Sequence, residues 1–408
     1  MKLHYEHTVK ACFVGYIVQA IVNNFVPLLF LTFQAQYGIA LSQITLLITL
    51  NFILQLIVDF ASAFFIDRIG YRVSVLLAHG FAAAGLLALP VLPELFGNPF
   101  LGLLTAVMIY AVGGGLLEVL ISPIVEACPT ENKEKAMSML HSFYCWGSVG
   151  VVLLSTLFFS VFGTSNWKIL ALLWALIPIG NGILFAKVPI VPLLAEGENG
   201  LSMVELFKTK VFWLFLVLIV CSGASEQAVS QWASTFAERG LGVAKSVGDL
   251  AGPTLFSVLM GSARLIYGKF GEKINLNQMM LGSGCLCIFS YLLISLTSSP
   301  VIGFVGVALC GFSVGILWPG TFSKASATIK GGGTVMFALL ALGGDLGCCG
   351  GPTFVGMIAS AFDEDLKKGI LAAICFPLLL VIGVVIMKGM EKRKKVCQDR
   401  EIKEKELR

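Results

Sequence analysis

Four carboxylates stand inside long apolar stretches of this chain: Asp59, Glu118, Glu226 and Asp345. An ionised Asp at the centre of a membrane helix costs about 2.5–3.5 kcal/mol on insertion scales, so each of them needs a reason. Removal from water disfavours the charged form of a carboxyl group, which lets it hold and release a proton near neutral pH. Glu118 fits that chemistry best, because it lies mid-stretch beside Gly113, Gly114 and Gly115, residues small enough for helices to approach closely. Its expected role is proton coupling or hydrogen bonding to a substrate; the plainer alternative is a protonated acid bonded to a neighbouring helix. Glu226 and Asp345 are the other proton-coupling candidates. Asp345 sits among Gly343, Gly344, Gly347, Gly350 and Gly351, just before Pro352, where tight packing or a bend would equally explain it.

Amide and aromatic side chains accompany the acids. Gln19, Asn23 and Asn24 lie in the first apolar stretch, and Gln227 and Gln231 are spaced to share a helix face. Amides both donate and accept, which suits sugar hydroxyls; interhelical bonding is the competing use. Trp232 and Trp318 offer flat faces for a sugar ring, or anchors at the lipid interface. His141 and Tyr144, followed by Trp146, open the polar side of a later stretch, and His141 is readable as a packed donor as well as a binding group. With these, the substrate-binding candidates are Gln19, Asn23, Asn24, Glu118, His141, Tyr144, Glu226, Gln227, Gln231, Trp232 and Trp318. Asp59, Asp67, Arg68, Arg72 and Arg264 are gating candidates; Arg264 alternatively snorkels toward water.

The elements that must position these groups are membrane helices. Of 408 residues, 57% are hydrophobic and 13% charged, and the mean hydropathy is +0.89, whereas soluble domains carry roughly 25% charged residues. Crossing the hydrocarbon takes about 20 mainly apolar residues. Runs of that length are expected at 10–34, 41–66, 73–94, 99–124, 135–162, 167–188, 211–236, 247–270, 275–297, 300–324, 332–361 and 367–388. They are long and continuously apolar, so helices are preferred to barrel strands. The start is not expected to be a cleaved signal, because its apolar run is long enough to span. The eleven cysteines fall mostly in apolar runs without metal spacing and read as small hydrophobes.

Lys and Arg collect on alternate loops, with Lys168, Arg239, Lys245, Lys367 and Lys368 on the sparser side. The positive-inside rule then places both termini in the cytoplasm. Residues 189–210 form the one long link, so the expected organisation is a six-helix bundle at 1–188, a linker, a second bundle at 211–390 and a charged tail at 391–408. The halves resemble each other. Asp67-Arg68-Ile69-Gly70 follows the second run and Gly268-Lys269-Phe270-Gly271 the eighth; Ser122-Pro123 closes the fourth and Trp318-Pro319 lies near the end of the tenth. Glu226 aligns with Asn23 in this repeat, and Gln227 with Asn24. Two similar halves suggest alternating access around a mid-membrane site.

The stretch from Asp59 through Asp67-Arg68-Ile69-Gly70-Tyr71-Arg72 resembles the signature between helices two and three of the major facilitator superfamily, with Ala63 in place of the usual glycine. With the repeat, the likeness covers essentially the whole chain. It implies an all-α membrane protein with 12 transmembrane helices in two pseudo-symmetric bundles. A narrower likeness is to the fucose/galactose/glucose:proton symporter group, through Leu117-Glu118, Ser122-Pro123 and the Asn23-Asn24 pair. That group places a coupling aspartate a few residues after the pair; Pro27 stands thereabouts here, and no acid lies in the first run.

The expected function is therefore secondary transport of a small neutral polar solute, a sugar first, with protons. Proton-driven export of cationic amphiphiles is the alternative, and a non-transporting solute sensor a minor one. No zinc motif, nucleophile arrangement or phosphate-binding loop occurs, so neither an enzyme nor ATP-driven transport is expected, and no cofactor. The expected partners are the solute, the lipid bilayer and protons, with no nucleic acid, and the chain is expected to act as a monomer in the cytoplasmic membrane.

Overall fold

A computed structural model describes residues 4–39, 41–191, 193, 200–237, 242, 245–363 and 365–406, with the backbone alone at 31, 41, 42, 44, 45, 48, 234, 245–251 and 393–406. Residues 192 and 194–199 of the link, Arg239, and the side chains of Lys245 and most of the tail, which figured in the linker and charge arguments, lie outside the described residues.

The described chain is helical. In order come α1 (Tyr5–Asn24), α2 (Phe30–Tyr37), α3 (Leu41–Ile69), α4 (Tyr71–Ala88), α5 (Leu92–Leu95), α6 (Pro99–Ala127), α7 (Lys133–Phe162), α8 (Trp167–Lys187) and α9 (Met203–Lys208). They are followed by α10 (Lys210–Ser230), α11 (Ala233–Thr235), α12 (Lys245–Phe270), α13 (Leu276–Leu296), α14 (Pro300–Val314), α15 (Leu317–Thr328), α16 (Gly333–Ala361), α17 (Leu366–Ala372) and α18 (Cys375–Glu406). Among the described residues, 11 segments are long and apolar enough to cross a membrane. The remaining run, expected at 247–270, falls within α12, a helix of 26 residues.

Several expected spans are interrupted where the sequence gives cause. The first, read as continuous over 10–34, breaks at Pro27 into α1, a 3-10 turn at Val26–Leu29, and α2, because proline has no N–H to give the preceding turn. The tenth divides at Gly315 into α14 and α15, and the twelfth divides between α17 and α18. Starts are marked by side-chain caps. Asn98 accepts from the Phe100 N–H, Asn132 from Lys135, Asn275 from Gln278 and Asp365 from Lys367, each satisfying a donor that the first turn leaves open.

Two compact units emerge. One holds residues 1–208 with 264–269 and 326–342, and the other holds 209–263, 270–325 and 343–408. Within the first, α6 packs against α1, α3 and α4. The α4–α6 contact requires glycine: a Cβ on Gly85 would meet the Tyr110 backbone nitrogen at 2.5 Å, and one on Gly113 the Ala78 carbonyl at 2.6 Å. Within the second, Gly347 and Gly351 of α16 lie against the backbone carbonyls of Val220 and Ala224 on α10, too close for any Cβ. The glycines around Asp345 thus serve close packing, one of the two uses expected of them. Outward faces remain apolar, as with Leu153, Leu157 and Val161 on α7, since lipid takes the place of water there.

Candidate functional site

In the first unit α1, α3 and α6 bring their polar residues together. The Gln19 amide donates to Glu118 Oε2 at 2.8 Å and to Gln55 Oε1 at 3.4 Å. Gln55 in turn donates to Asn23 Oδ1 at 2.9 Å, which also accepts from Asn51 at 3.4 Å. Gly114 makes room for this: a Cβ there would press on Gln55 Cδ at 3.2 Å. Gln19, Asn51 and Gln55 are buried, while Asn23 and Glu118 are half-buried. Asn24 turns elsewhere, to the Ala20 carbonyl and, at 3.1 Å, to Ser148, whose hydroxyl bonds the Tyr144 carbonyl.

Gln55 and Asn51 are the members of this network that the sequence reading missed. The signal was present, since Asn51, Gln55 and Asp59 recur every four residues and so lie on one face of α3. All three are buried, Asp59 completely. Two amide oxygens of the network, Gln19 Oε1 and Asn51 Oδ1, are buried without a hydrogen-bond donor among the described residues.

One turn along α6 from Glu118, the Ser122 hydroxyl pairs with Tyr16 OH at 3.0 Å and with His141 Nε2 at 3.5 Å. His141 is buried, and its carbonyl accepts from Arg264 at 3.2 Å. Arg264 also donates to Cys145 Sγ at 3.1 Å and is 4% exposed. It is therefore held by α7 and does not snorkel to water. Of the other gating candidates, Asp67 Oδ1 accepts from Thr334 at 2.6 Å, and Thr334 also bonds Tyr71 OH. Arg68 is exposed. Arg72 donates to the carbonyls of Phe185, Ala186 and Val188 at 2.8–3.0 Å, capping the C-terminus of α8.

In the second unit Glu226 Oε1 accepts from Gln227 at 3.3 Å, and Gln227 Oε1 from Gln231 at 3.2 Å. The Gln227–Gln231 bond is the i,i+4 contact their spacing implied. Both tryptophans are engaged by α16: the Trp232 indole N–H donates to the Pro352 carbonyl at 3.0 Å, and the buried Trp318 ring lies over Gly344. Asp345 is half-buried on the same helix.

Between α2, α5 and α8 of the first unit, Glu94 accepts from Lys168 at 2.6 Å and from Tyr37 at 2.9 Å. The Lys168 bond, then that of Tyr37, holds the Glu94 carboxyl below its ordinary pKa, and burial raises that of Tyr37.

The sequence profile of the Major Facilitator Superfamily matches residues 11–352. The chain belongs to the Major Facilitator Superfamily. It is 23% identical over 287 residues to the membrane protein MosC of Rhizobium meliloti, a match spanning 69% of this chain and 66% of that protein, just under two thirds of its length. The fold is similar to the E. coli fucose:proton symporter, with TM-score 0.81 and 13% identity over 94% of this chain and 99% of that one. It is also similar to the proton:xylose symporter XylE, with TM-score 0.76 and 12% identity over 93% and 94% of the two chains. At such identities the likeness is one of fold. This superfamily member is an all-helical, multi-pass membrane protein of the 12-helix fold.

Proposed function

We propose that this transporter moves a small neutral polar solute, a sugar, by alternating access coupled to protons, with Glu118 as a coupling group. One observation carries the reading: Gln19 is bound to Glu118 at 2.8 Å while the oxygens of Gln19 and Asn51 lack donors among the described residues. A buried polar group without a partner costs about 1–3 kcal/mol, and a hydroxyl-rich guest supplies the donors these acceptors lack. An anion would face carboxylate and carbonyl oxygen and be repelled. The two similar folds named for proton symport of sugars support the same choice. In this reading both termini face the cytoplasm, as the loop charges favour, and Glu226 and Asp345 contribute to the second unit's share of the pathway.

The test is counterflow of labelled L-fucose, D-galactose, D-glucose and D-xylose in proteoliposomes, with lumenal pH recorded. Saturable counterflow of at least one sugar is expected, with proton movement that Glu118→Gln abolishes. No sugar-dependent flux across the panel would sink the sugar assignment. Flux of lipophilic cations in its place would establish the export alternative.

A further inference from the structure

We propose that Glu126 is a second proton-carrying carboxylate, which relays the proton of Glu118 to the linker end of the first bundle by way of Ser122. This rests on the proton-coupled reading and adds to it the route and the exit group. Glu118, Ser122 and Glu126 are spaced four apart on α6. At about 1.5 Å rise per residue they stand roughly 6 Å apart, one above the other on a single face. Each is tied to a polar partner: Gln19 at Glu118, Tyr16 and His141 at Ser122, and Ser326 at Glu126. Between the last two, Pro123 has no N–H to give the Val119 carbonyl, which adds an oxygen to the same stretch of helix.

Glu126 is 7% exposed. Its Oε1 accepts from Ser326 at 2.9 Å and lies 3.9 Å from Lys133 Nζ. Its Oε2 is buried and without a hydrogen-bond partner among the described residues. A carboxylate held by one oxygen, with the other turned into the protein, is arranged to receive a proton on the inner oxygen. The charged groups acting on it are Lys133, Glu134 and Lys330. Lys133 is half exposed, which puts water within reach of the pair.

The transfer conserves protons. Glu118 gives its proton to a water bridging toward the Ser122 hydroxyl. Each oxygen in the chain accepts one proton as it passes one on, and Glu126 Oε2 takes the last. Glu126 then loses a proton to bulk water beside Lys133 and returns to the carboxylate. His141 Nε2, at 3.5 Å, and Tyr16 OH, at 3.0 Å, hold the Ser122 hydroxyl in place.

The test needs no solute. The full chain in nanodiscs is followed by infrared difference spectroscopy after a pH jump, reading the C=O stretch of protonated carboxyls. A band lost in Glu118→Gln and a second lost in Glu126→Gln are expected. In Glu126→Gln the Glu118 band keeps its equilibrium midpoint but follows the jump at least tenfold more slowly; Glu126→Asp restores most of the rate, and Ser122→Ala slows it in the same direction. A merely structural Glu126 would leave that rate unchanged. If Glu118 titrates and its rate is the same in Glu126→Gln and Ser122→Ala, the relay is overturned while proton coupling stands. If Glu118 gives no titrating band, the proton-coupled reading itself fails, and the relay with it.

Discussion

Arg72 belongs to the loop signature that suggested gating, yet its guanidinium is spent on the end of α8, and replacing it distinguishes the two uses. The bonds to Phe185, Ala186 and Val188 measure 2.8, 3.0 and 2.9 Å. A hydrogen bond to a charged donor is worth about 1.5–3 kcal/mol net, but Arg72 is exposed, and water replaces part of what is lost. For the set of three we therefore take about 2–3 kcal/mol for Arg72→Ala. At 1.4 kcal/mol per factor of ten, opening of the last turn of α8 becomes about 25- to 150-fold more frequent, because local opening sets amide exchange there. Hydrogen–deuterium exchange read by mass spectrometry over peptides covering 180–188 is the assay. Arg72→Lys should recover about half of the effect on a logarithmic scale, since an ammonium cannot fork across three carbonyls. Exchange in 180–188 within threefold of wild type for Arg72→Ala, with acceleration appearing elsewhere, would refute the capping role and return Arg72 to the gate.

Gly347→Leu should prevent recovery of folded protein or lower its melting temperature sharply in a thermal-shift assay. The side chain would have to enter the Val220 backbone, and overpacking costs about 1–3 kcal/mol even where atoms can move. Gln55→Leu removes a donor from Asn23 and an acceptor from Gln19. Counting only the 2.9 Å bond to Asn23, at about 0.5–1.5 kcal/mol per neutral bond, half-saturation for the transported sugar should rise about 2- to 12-fold in counterflow, and unchanged half-saturation would remove Gln55 from the site. For Glu94, whose folded pKa is depressed, the Lys168 contact stabilises the protein above the ordinary carboxylate range and is lost as pH falls through the lowered value. The melting-temperature gap between wild type and Glu94→Gln should therefore be present at pH 7, close on acidification, and shrink in high salt.

What the sequence revealed, and what it concealed, follows from which information is local. Apolar run length depends on neighbours in the chain alone, so the spans were legible; the breaks at Pro27 and Gly315 were hidden only by reading across residues that end helices. The acid Glu118 stood out because a charge in lipid is conspicuous. Gln55 did not, although its four-residue spacing to Asn51 and Asp59 was open to view, because an uncharged amide among apolar residues attracts no notice until a partner faces it. Arg72 was opaque for another reason: what it caps lies 113 residues away, and only the packing of α4 against α8 brings them together. Trp232 and Trp318 likewise read as faces for a sugar ring or anchors at the lipid interface, whereas Pro352 and Gly344 of α16 receive them.

The polar interior of the first bundle has a direction of its own. In the Gln19–Asn51–Gln55 network every amide nitrogen donates to an oxygen. The atoms left over at Gln19, Asn51 and Glu126 are all oxygens. Such an imbalance selects among guests. It favours hydroxyl groups and protons, which donate, and opposes anions, which would add acceptors to acceptors. In the proposed scheme, sugar recognition at the amides and proton passage along α6 answer to one surplus of acceptors. Supplying donors in place should weaken both: Asn51→Lys should depress sugar counterflow and also delay the Glu118 infrared response. Loss of one with the other intact would show that the two sites are electrostatically independent.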